Sequence, residues 1–268
     1  MRQELFNLDA YFERIGYRGK TDTSPETLHE LHLAHTLQIP FENLDIYYGK
    51  PVCLDRESLF KKIVLGKRGG YCFEMNGLFS FVLKALGFKV ADLLARGTLD
   101  GKTYMAKTHQ VLLVEAGGKQ WMADVGFGMG GIMVPLLLAE ELEQQQYGHT
   151  YRLRRDPKYG YIFQQKTAAG YQAMFAFTLE ECCEEDFVMA HHYTATFPGS
   201  FFQQARFCTI PTPEGRMTLF EMHFKKPEGG RMTERTLSGE SEFRHILKQY
   251  FGLDLELIAP GRAGKDRE

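Results

Sequence analysis

His109-Gln110-Val111-Leu112-Leu113-Val114-Glu115-Ala116-Gly117-Gly118-Lys119-Gln120-Trp121-Met122-Ala123-Asp124-Val125 is the stretch that decides the fold. An apolar run, a Gly-Gly pair and a second apolar run read as a β-hairpin with a two-residue turn. That turn puts Val111 opposite Asp124. His109 lies two residues from Val111 and therefore on the same face. Imidazole and carboxylate become diagonal neighbours, with Cα atoms roughly 7–8 Å apart. A four-residue turn keeps this arrangement, whereas a three- or five-residue turn separates the faces. An acid in an otherwise apolar strand calls for a partner, because an unpaired buried charge is costly. A purely structural His–Asp hydrogen bond meets that demand as well as a catalytic pair does.

Upstream of the hairpin lies Arg68-Gly69-Gly70-Tyr71-Cys72. Two glycines permit a sharp turn and close approach to a ligand. A helix starting at Cys72 buries Leu78, Phe79, Val82, Ala85 and Leu86 and closes at Gly87. The unpaired N–H groups and partial positive charge of a helix start favour a thiolate. A small buried core cysteine is the competing reading. Together the residues supply a nucleophile, a base and an orienting acid in the order Cys72, His109, Asp124. Their meeting in space does not follow from spacing alone.

Further toward the N-terminus, Leu8, Tyr11, Phe12 and Ile15 keep a helical period that stops at Gly16. Ser24-Pro25 starts a second helix with Leu28, Leu31 and Ala34 on its apolar side. Beyond the hairpin, Tyr151–Leu153, Tyr161–Gln165 and Tyr171–Phe177 read as strands, as does Val90–Ala95 before it. Phe207–Ile210 and Met217–Phe224 read as strands around the turn Thr212-Pro213-Glu214-Gly215. Phe243, Ile246, Leu247 and Tyr250 mark a helix ending at Gly252, and Leu253, Leu255 and Leu257 alternate like a last strand. Pro260–Glu268 reads as a loose tail. Helices, then strands, then a mixture predict an α+β fold.

Composition narrows the function classes. The 268 residues are 44% hydrophobic and 25% charged, with 32 Lys+Arg against 34 Asp+Glu and a net charge of −2. That balance suggests a globular chain and no nucleic-acid or membrane partner. Five cysteines without a CxxC pair point away from a disulfide framework or thiolate zinc site. A reducing cytoplasm is the expected location, since the N-terminus carries no apolar signal core. Gly126-Phe127-Gly128-Met129-Gly130-Gly131 spells G-x-G-x-x-G, but Val134-Pro135 follows where a nucleotide-binding helix would run. A flexible bend, or a loop passing a long cofactor near Asp124, fits better. His29, His32 and His35 lack metal-site spacing and read as solvated or core histidines, like His191-His192. Cys182-Cys183 sits among acids that disfavour a thiolate, and Cys53 and Cys208 read as structural.

Ile39-Pro40-Phe41-Glu42-Asn43-Leu44, Arg68-Gly69-Gly70-Tyr71-Cys72-Phe73-Glu74, Thr108-His109, Ala123-Asp124-Val125-Gly126-Phe127-Gly128 and Thr212-Pro213-Glu214-Gly215 resemble the arylamine N-acetyltransferases, including the bacterial N-hydroxyarylamine O-acetyltransferases. The resemblance implies a helical bundle over 1–87 with the nucleophile, an antiparallel β-barrel over 88–197 with His and Asp, and an α/β lid over 198–268. The core would be similar to papain-like and transglutaminase-like enzymes. It implies that Cys72, His109 and Asp124 meet, with acetyl-CoA as co-substrate and an aromatic amine or hydroxylamine as acceptor, without a metal. Thr108, Gly126, Gly128 and Phe202 are by resemblance cofactor-side residues, and Phe41 and Phe127 acceptor walls. A cysteine peptidase or amidase with the same residue order, and a non-catalytic binder of CoA or aryl groups, are the competing functions.

Overall fold

The computed structural model describes residues 5–254. In chain order the first third holds α1 (Leu8–Ile15), α2 (Pro25–Gln38), the short strand β1 (Phe41–Glu42), α3 (Leu44–Tyr47), α4 (Arg56–Leu59), a π-helical turn over Phe60–Leu65 and α5 (Cys72–Ala85). Each long helix has a local cause. Asn7 caps α1 through its side chain, and Gly16 ends it in the left-handed region at φ 67°. The Ser24 hydroxyl accepts from the Thr27 N–H at 3.2 Å, with Pro25 at the first turn of α2. Leu28, Leu31, Leu78, Phe79 and Val82 are fully buried in one core. Ala85, expected inside, is exposed and Leu86 is half-buried. The buried stripe runs through Leu83 instead, because the last turn of α5 leaves the core.

The middle of the chain forms β2 (Lys89–Thr98), β3 (Tyr104–Ala116), β4 (Lys119–Ala123), β5 (Leu136–Leu137), β6 (Gln144–Gln146), β7 (His149–Asp156), β8 (Gly160–Thr167) and β9 (Gly170–Phe177). They make one eight-stranded antiparallel sheet in the order β5-β4-β3-β2-β9-β8-β7-β6. Its two edge strands approach each other. The Gln144 side chain accepts from the Leu137 N–H at 2.8 Å and donates to the Leu137 carbonyl at 3.0 Å. The Gln144 side chain thus bridges β6 to β5 where backbone pairing stops, and the sheet becomes nearly a closed barrel. Leu93, Val111, Met122, Phe163 and Phe175 fill it.

After β9 come α6 (Glu184–Thr196), α7 (Phe201–Gln204), β10 (Phe207–Thr212), β11 (Gly215–Phe220), β12 (His223–Glu228), β13 (Arg231–Thr236) and α8 (Glu240–Phe251). β1 joins β10–β13 in a second sheet, which ties the N-terminal third to the C-terminal one. Met217–Phe224, expected as one strand, is split between β11 and β12. Glu221 adopts φ 48° and reverses the chain there. Leu253 does not continue as a strand, and Leu255, Leu257 and the tail lie outside the described residues. The fold is α+β, as the element order predicts.

Candidate active site

The hairpin pairs Leu112 with Ala123 and Leu113 with Met122, the expected register, and the ladder ends one step before Val111 and Asp124. Gly117 and Gly118 take φ 57° and 68°, as a two-residue turn of this hand requires. Imidazole and carboxylate meet on one face: His109 Nε2 lies 2.7 Å from Asp124 Oδ2. That contact leaves Nδ1 open, and Cys72 lies beside the ring, close enough to help raise the His109 pKa. Cys72 is the first residue of α5, so its sulfur sits at a helix N-terminus. Cys72 is 3% exposed and His109 7%, so the group that meets solvent is small and the rest of the site is walled.

A β-bulge does part of the aiming. β2 pairs Ala95 with His109 but Arg96 with Lys107, which leaves Thr108 as the extra residue. Bulges re-aim side chains beside functional sites. Here the bulge turns the Thr108 carbonyl to 3.8 Å from Cys72 Sγ. The glycine loop closes the other side. A Cβ on Gly126 would lie 2.8 Å from Cys72 Cα, and one on Gly128 would lie 2.6 Å from the Phe41 ring. Neither space admits a side chain. Gly69 has the same role, since a Cβ there would come within 2.0 Å of the Pro40 carbonyl. Close approach rather than left-handed backbone explains that lead-in, as neither Gly69 nor Gly70 has positive φ.

Electrostatics favour a charged pair. Burial alone would depress the His109 pKa, but the charge and hydrogen bond of Asp124, with Cys72 beside the ring, lift it to about 10. Burial would raise the Asp124 carboxyl, yet His109, Asn76 and the Gly126 N–H hold it below the usual range. Asn76 is a residue the sequence reading missed. It sits one turn after Cys72 on α5, at the i+4 position that shares its face. Its Nδ2 donates to Asp124 Oδ1 at 2.9 Å and to the Gln110 carbonyl at 2.7 Å, and its Oδ1 accepts from Val125 N–H at 2.9 Å. Asn76→Ala removes three buried hydrogen bonds, leaving Asp124 Oδ1 with only the Gly126 N–H, and is expected to cost about 3 kcal/mol of stability. Chemical denaturation measures it, and a variant as stable as the parent would remove Asn76 from the site's framework.

His32 and His35 are core residues, as expected, but His32 also supports the site. Its Nδ1 bonds the Met133 carbonyl at 2.9 Å, and its Nε2 accepts from the Asp124 N–H at 3.1 Å. Burial pulls its pKa down to about 4, which keeps that acceptor neutral. Beneath the Arg68–Cys72 segment lies a buried ionic cluster. Arg68 reaches Glu42 at 2.6 Å and Asp45 at 3.1 Å, while Lys62 reaches Asp45 at 2.8 Å and Glu74 at 2.6 Å. Glu74 also caps α5 by accepting from the Tyr71 N–H at 3.1 Å. The isolated charges at Glu42, Asp45, Lys62 and Glu74 in apolar surroundings were the available signal.

Aromatic rings surround the pair. Phe127 packs edge-on to His109 with centroids 5.3 Å apart. Phe41 and Phe202 are 6.2 Å apart, and Phe202 is 5.6 Å from Tyr71, the residue before Cys72. Phe41, Phe202, Tyr71 and Cys72 thus share one apolar cluster, while Phe127 belongs to the barrel side. Among the described residues there is no group of three His, Cys, Asp or Glu side chains placed to hold a metal ion, and no helix long and apolar enough to cross a membrane.

The N-acetyltransferase family profile matches residues 24–259. The chain is 36% identical to an arylamine N-acetyltransferase of Escherichia coli (strain K12), across 93% of this chain and 89% of the relative. It is 35% identical to an arylamine N-acetyltransferase / N-hydroxyarylamine O-acetyltransferase of Salmonella typhimurium, across 95% and 91%. Among solved structures it resembles the Mycobacterium marinum arylamine N-acetyltransferase in complex with CoA. The TM-score is 0.88 at 32% identity, covering 95% of this chain and 96% of that one.

Proposed function

We propose that this chain, which belongs to the arylamine N-acetyltransferase family and is an acyltransferase, moves the acetyl group of acetyl-CoA onto aromatic amines through an acetylated Cys72. Acetyl-CoA is the family's co-substrate, and a solved relative is described as a CoA complex. What supports the route is the 2.7 Å His109–Asp124 contact, together with Cys72 at the start of α5 beside the ring.

Cys72 passes its proton to His109 Nδ1 and attacks the thioester carbonyl as a thiolate. The C–S bond to CoA breaks, and CoA leaves with the proton from His109. N–H groups at the start of α5 face the oxyanion. The amine nitrogen of the acceptor, or the oxygen of an N-hydroxyarylamine, then attacks the acetyl-cysteine. His109 takes the proton of that nucleophile, and the Cys72 sulfur departs. A weakly basic aromatic amine needs a reactive acyl group, which a thioester provides. The domain limits 1–87, 88–197 and 198–268 and a cytoplasmic location belong to the same proposal.

Two results are expected. Mixing with acetyl-CoA alone adds one acetyl group to the intact mass, and peptide mapping places it on Cys72. Initial-rate lines at varied donor and acceptor run parallel, as a double displacement demands. Intersecting lines with no adduct would leave direct transfer as the mechanism.

A further inference from the structure

We propose that Asn43 is a positioning residue whose side-chain amide pins the α7 turn, so that the Phe202 ring shields acetylated Cys72 from water until the amine arrives. The inference rests on the reading that Cys72 carries the acetyl group, and it adds what keeps that group from hydrolysis.

Asn43 is 1% exposed and stands at the N-cap position of α3, yet its side chain makes no capping bond there. An asparagine in that place ordinarily bonds its own helix. Here the Glu42 carboxylate accepts from the Leu44 N–H at 2.8 Å instead. The Asn43 amide goes to a segment 159 to 164 residues further along. Its Nδ2 donates to the carbonyls of Phe202 at 3.0 Å and Ala205 at 2.8 Å, and its Oδ1 accepts from the Phe207 N–H at 2.8 Å. Those two carbonyls lie at the end of α7, where a helix leaves its carbonyls without internal partners. Asn43 thus caps α7 from outside.

None of the four residues of α7 is buried, so no core of its own holds it. Gln203 donates to the Ala195 carbonyl and Gln204 to the Pro198 carbonyl at 3.1 Å, which ties the turn to the chain just before it. The Phe202 ring nevertheless turns inward. It packs against the apolar cluster that contains Cys72, on the rings of Tyr71 and Phe41. Tyr71 directly precedes Cys72, and Phe41 bridges to Gly70. Releasing α7 from Asn43 frees this ring to swing away from the wall around the thiol.

A closed wall has a chemical use. Beside acetyl-Cys72, His109 can take a proton from water as well as from an amine. Water attacking the acetyl carbonyl gives its proton to His109, the C–S bond breaks, acetate leaves, and the proton returns to the Cys72 sulfur. Excluding water from a reactive intermediate suppresses that loss.

The test starts from acetyl-enzyme made with acetyl-CoA and freed of it, and follows its decay by intact mass in buffer alone and with aniline. Asn43→Asp keeps the shape and the acceptor for the Phe207 N–H but puts an oxygen where both amide donors were. Hydrolysis relative to aminolysis is expected to rise about tenfold, as loss of two hydrogen bonds favours the open turn. Phe202→Ala, which leaves the tether in place, raises the same ratio. Leu247→Ala loosens the core under α8, away from α7, and leaves the ratio within about twofold of the parent. An unchanged ratio in Asn43→Asp, or one that Leu247→Ala moves as far, would make Asn43 a structural tie and overturn the proposal. Should Asn43→Asp fail to fold, Phe202→Ala decides: a raised ratio upholds the shield and an unchanged one removes it. A parent that never acquires an acetyl group sinks the acetyl-cysteine reading, and this inference with it.

Discussion

Asp124→Asn is expected to lower kcat/KM about 10³- to 10⁴-fold while leaving the chain folded. Asn has the right shape, so the cause is chemical. Position 124 must accept from Asn76 Nδ2 and from the Gly126 N–H through one oxygen, Oδ1 in the native chain. The asparagine oxygen keeps that place, and the new amide nitrogen faces His109 Nε2. It donates there, so the imidazole must carry its proton on Nδ1, the nitrogen that should receive the thiol proton. Base strength falls as well, because the charge of Asp124 is what lifts His109 to about 10 against burial.

The same substitution has a stability signature of known sign. The folded pKa of His109 is raised, so the pair's contribution is full below the unfolded histidine value of about 6.5 and is lost as pH rises through about 10. Asp124 is depressed, so its share is present above the usual carboxylate pKa and lost as pH falls through its lowered folded value. The gap in denaturation midpoint between parent and Asp124→Asn is therefore expected to be widest near pH 6 and to narrow toward pH 10. A variant with parental turnover, or a gap that does not change with pH, would show that Asp124 does not orient His109.

Much of this pair was legible from residues alone because strand pairing is local. Two glycines with positive φ set the turn, the turn sets the register, and the register sets which side chains share a face. Helix ends were equally local, at Ser24 and at Gly16, Gly87 and Gly252. The missed features depend on partners distant in sequence. Asn76 shares a helical face with Cys72, but its value lies in Gln110, Asp124 and Val125, which a fold must bring to it. The bulge at Thr108 arises from a slip between β2 and β3 that no composition announces. The π-helical turn over Phe60–Leu65 and the helix α6 escaped for a related reason. Lys62 points at Asp45 and Glu74, and α6 buries only Phe187, Ala190 and Thr194 of its thirteen residues. Ion pairs and neighbouring layers, not an amphipathic period, hold such elements in place. The meeting of Cys72 with His109 likewise needed the fold, since thirty-six residues lie between Cys72 at the helix start and His109 inside β3.

Cys72→Ala is expected to abolish the acetyl adduct and lower turnover by about 10⁵-fold or more, as loss of a covalent nucleophile does. The substitution removes one sulfur from a site where it bonds only weakly, to the Thr108 carbonyl at 3.8 Å and to His109, so the fold should survive. Near-parental circular dichroism and melting check that. The remaining thiols make poor substitutes. Burial pushes Cys208 well up and Cys182 up, and Cys183 donates to Asp186 at 3.3 Å, which favours its protonated form. Cys53 is exposed but lies outside the His109–Asp124 contact. None has an imidazole held by a carboxylate beside it, which is what lets a thiol give up its proton at the moment of attack. An adduct that persisted in Cys72→Ala, on Cys53 for instance, would move the chemistry away from α5. A parent that released peptide fragments without any acetyl donor would replace acetyl transfer with hydrolysis at the same sulfur.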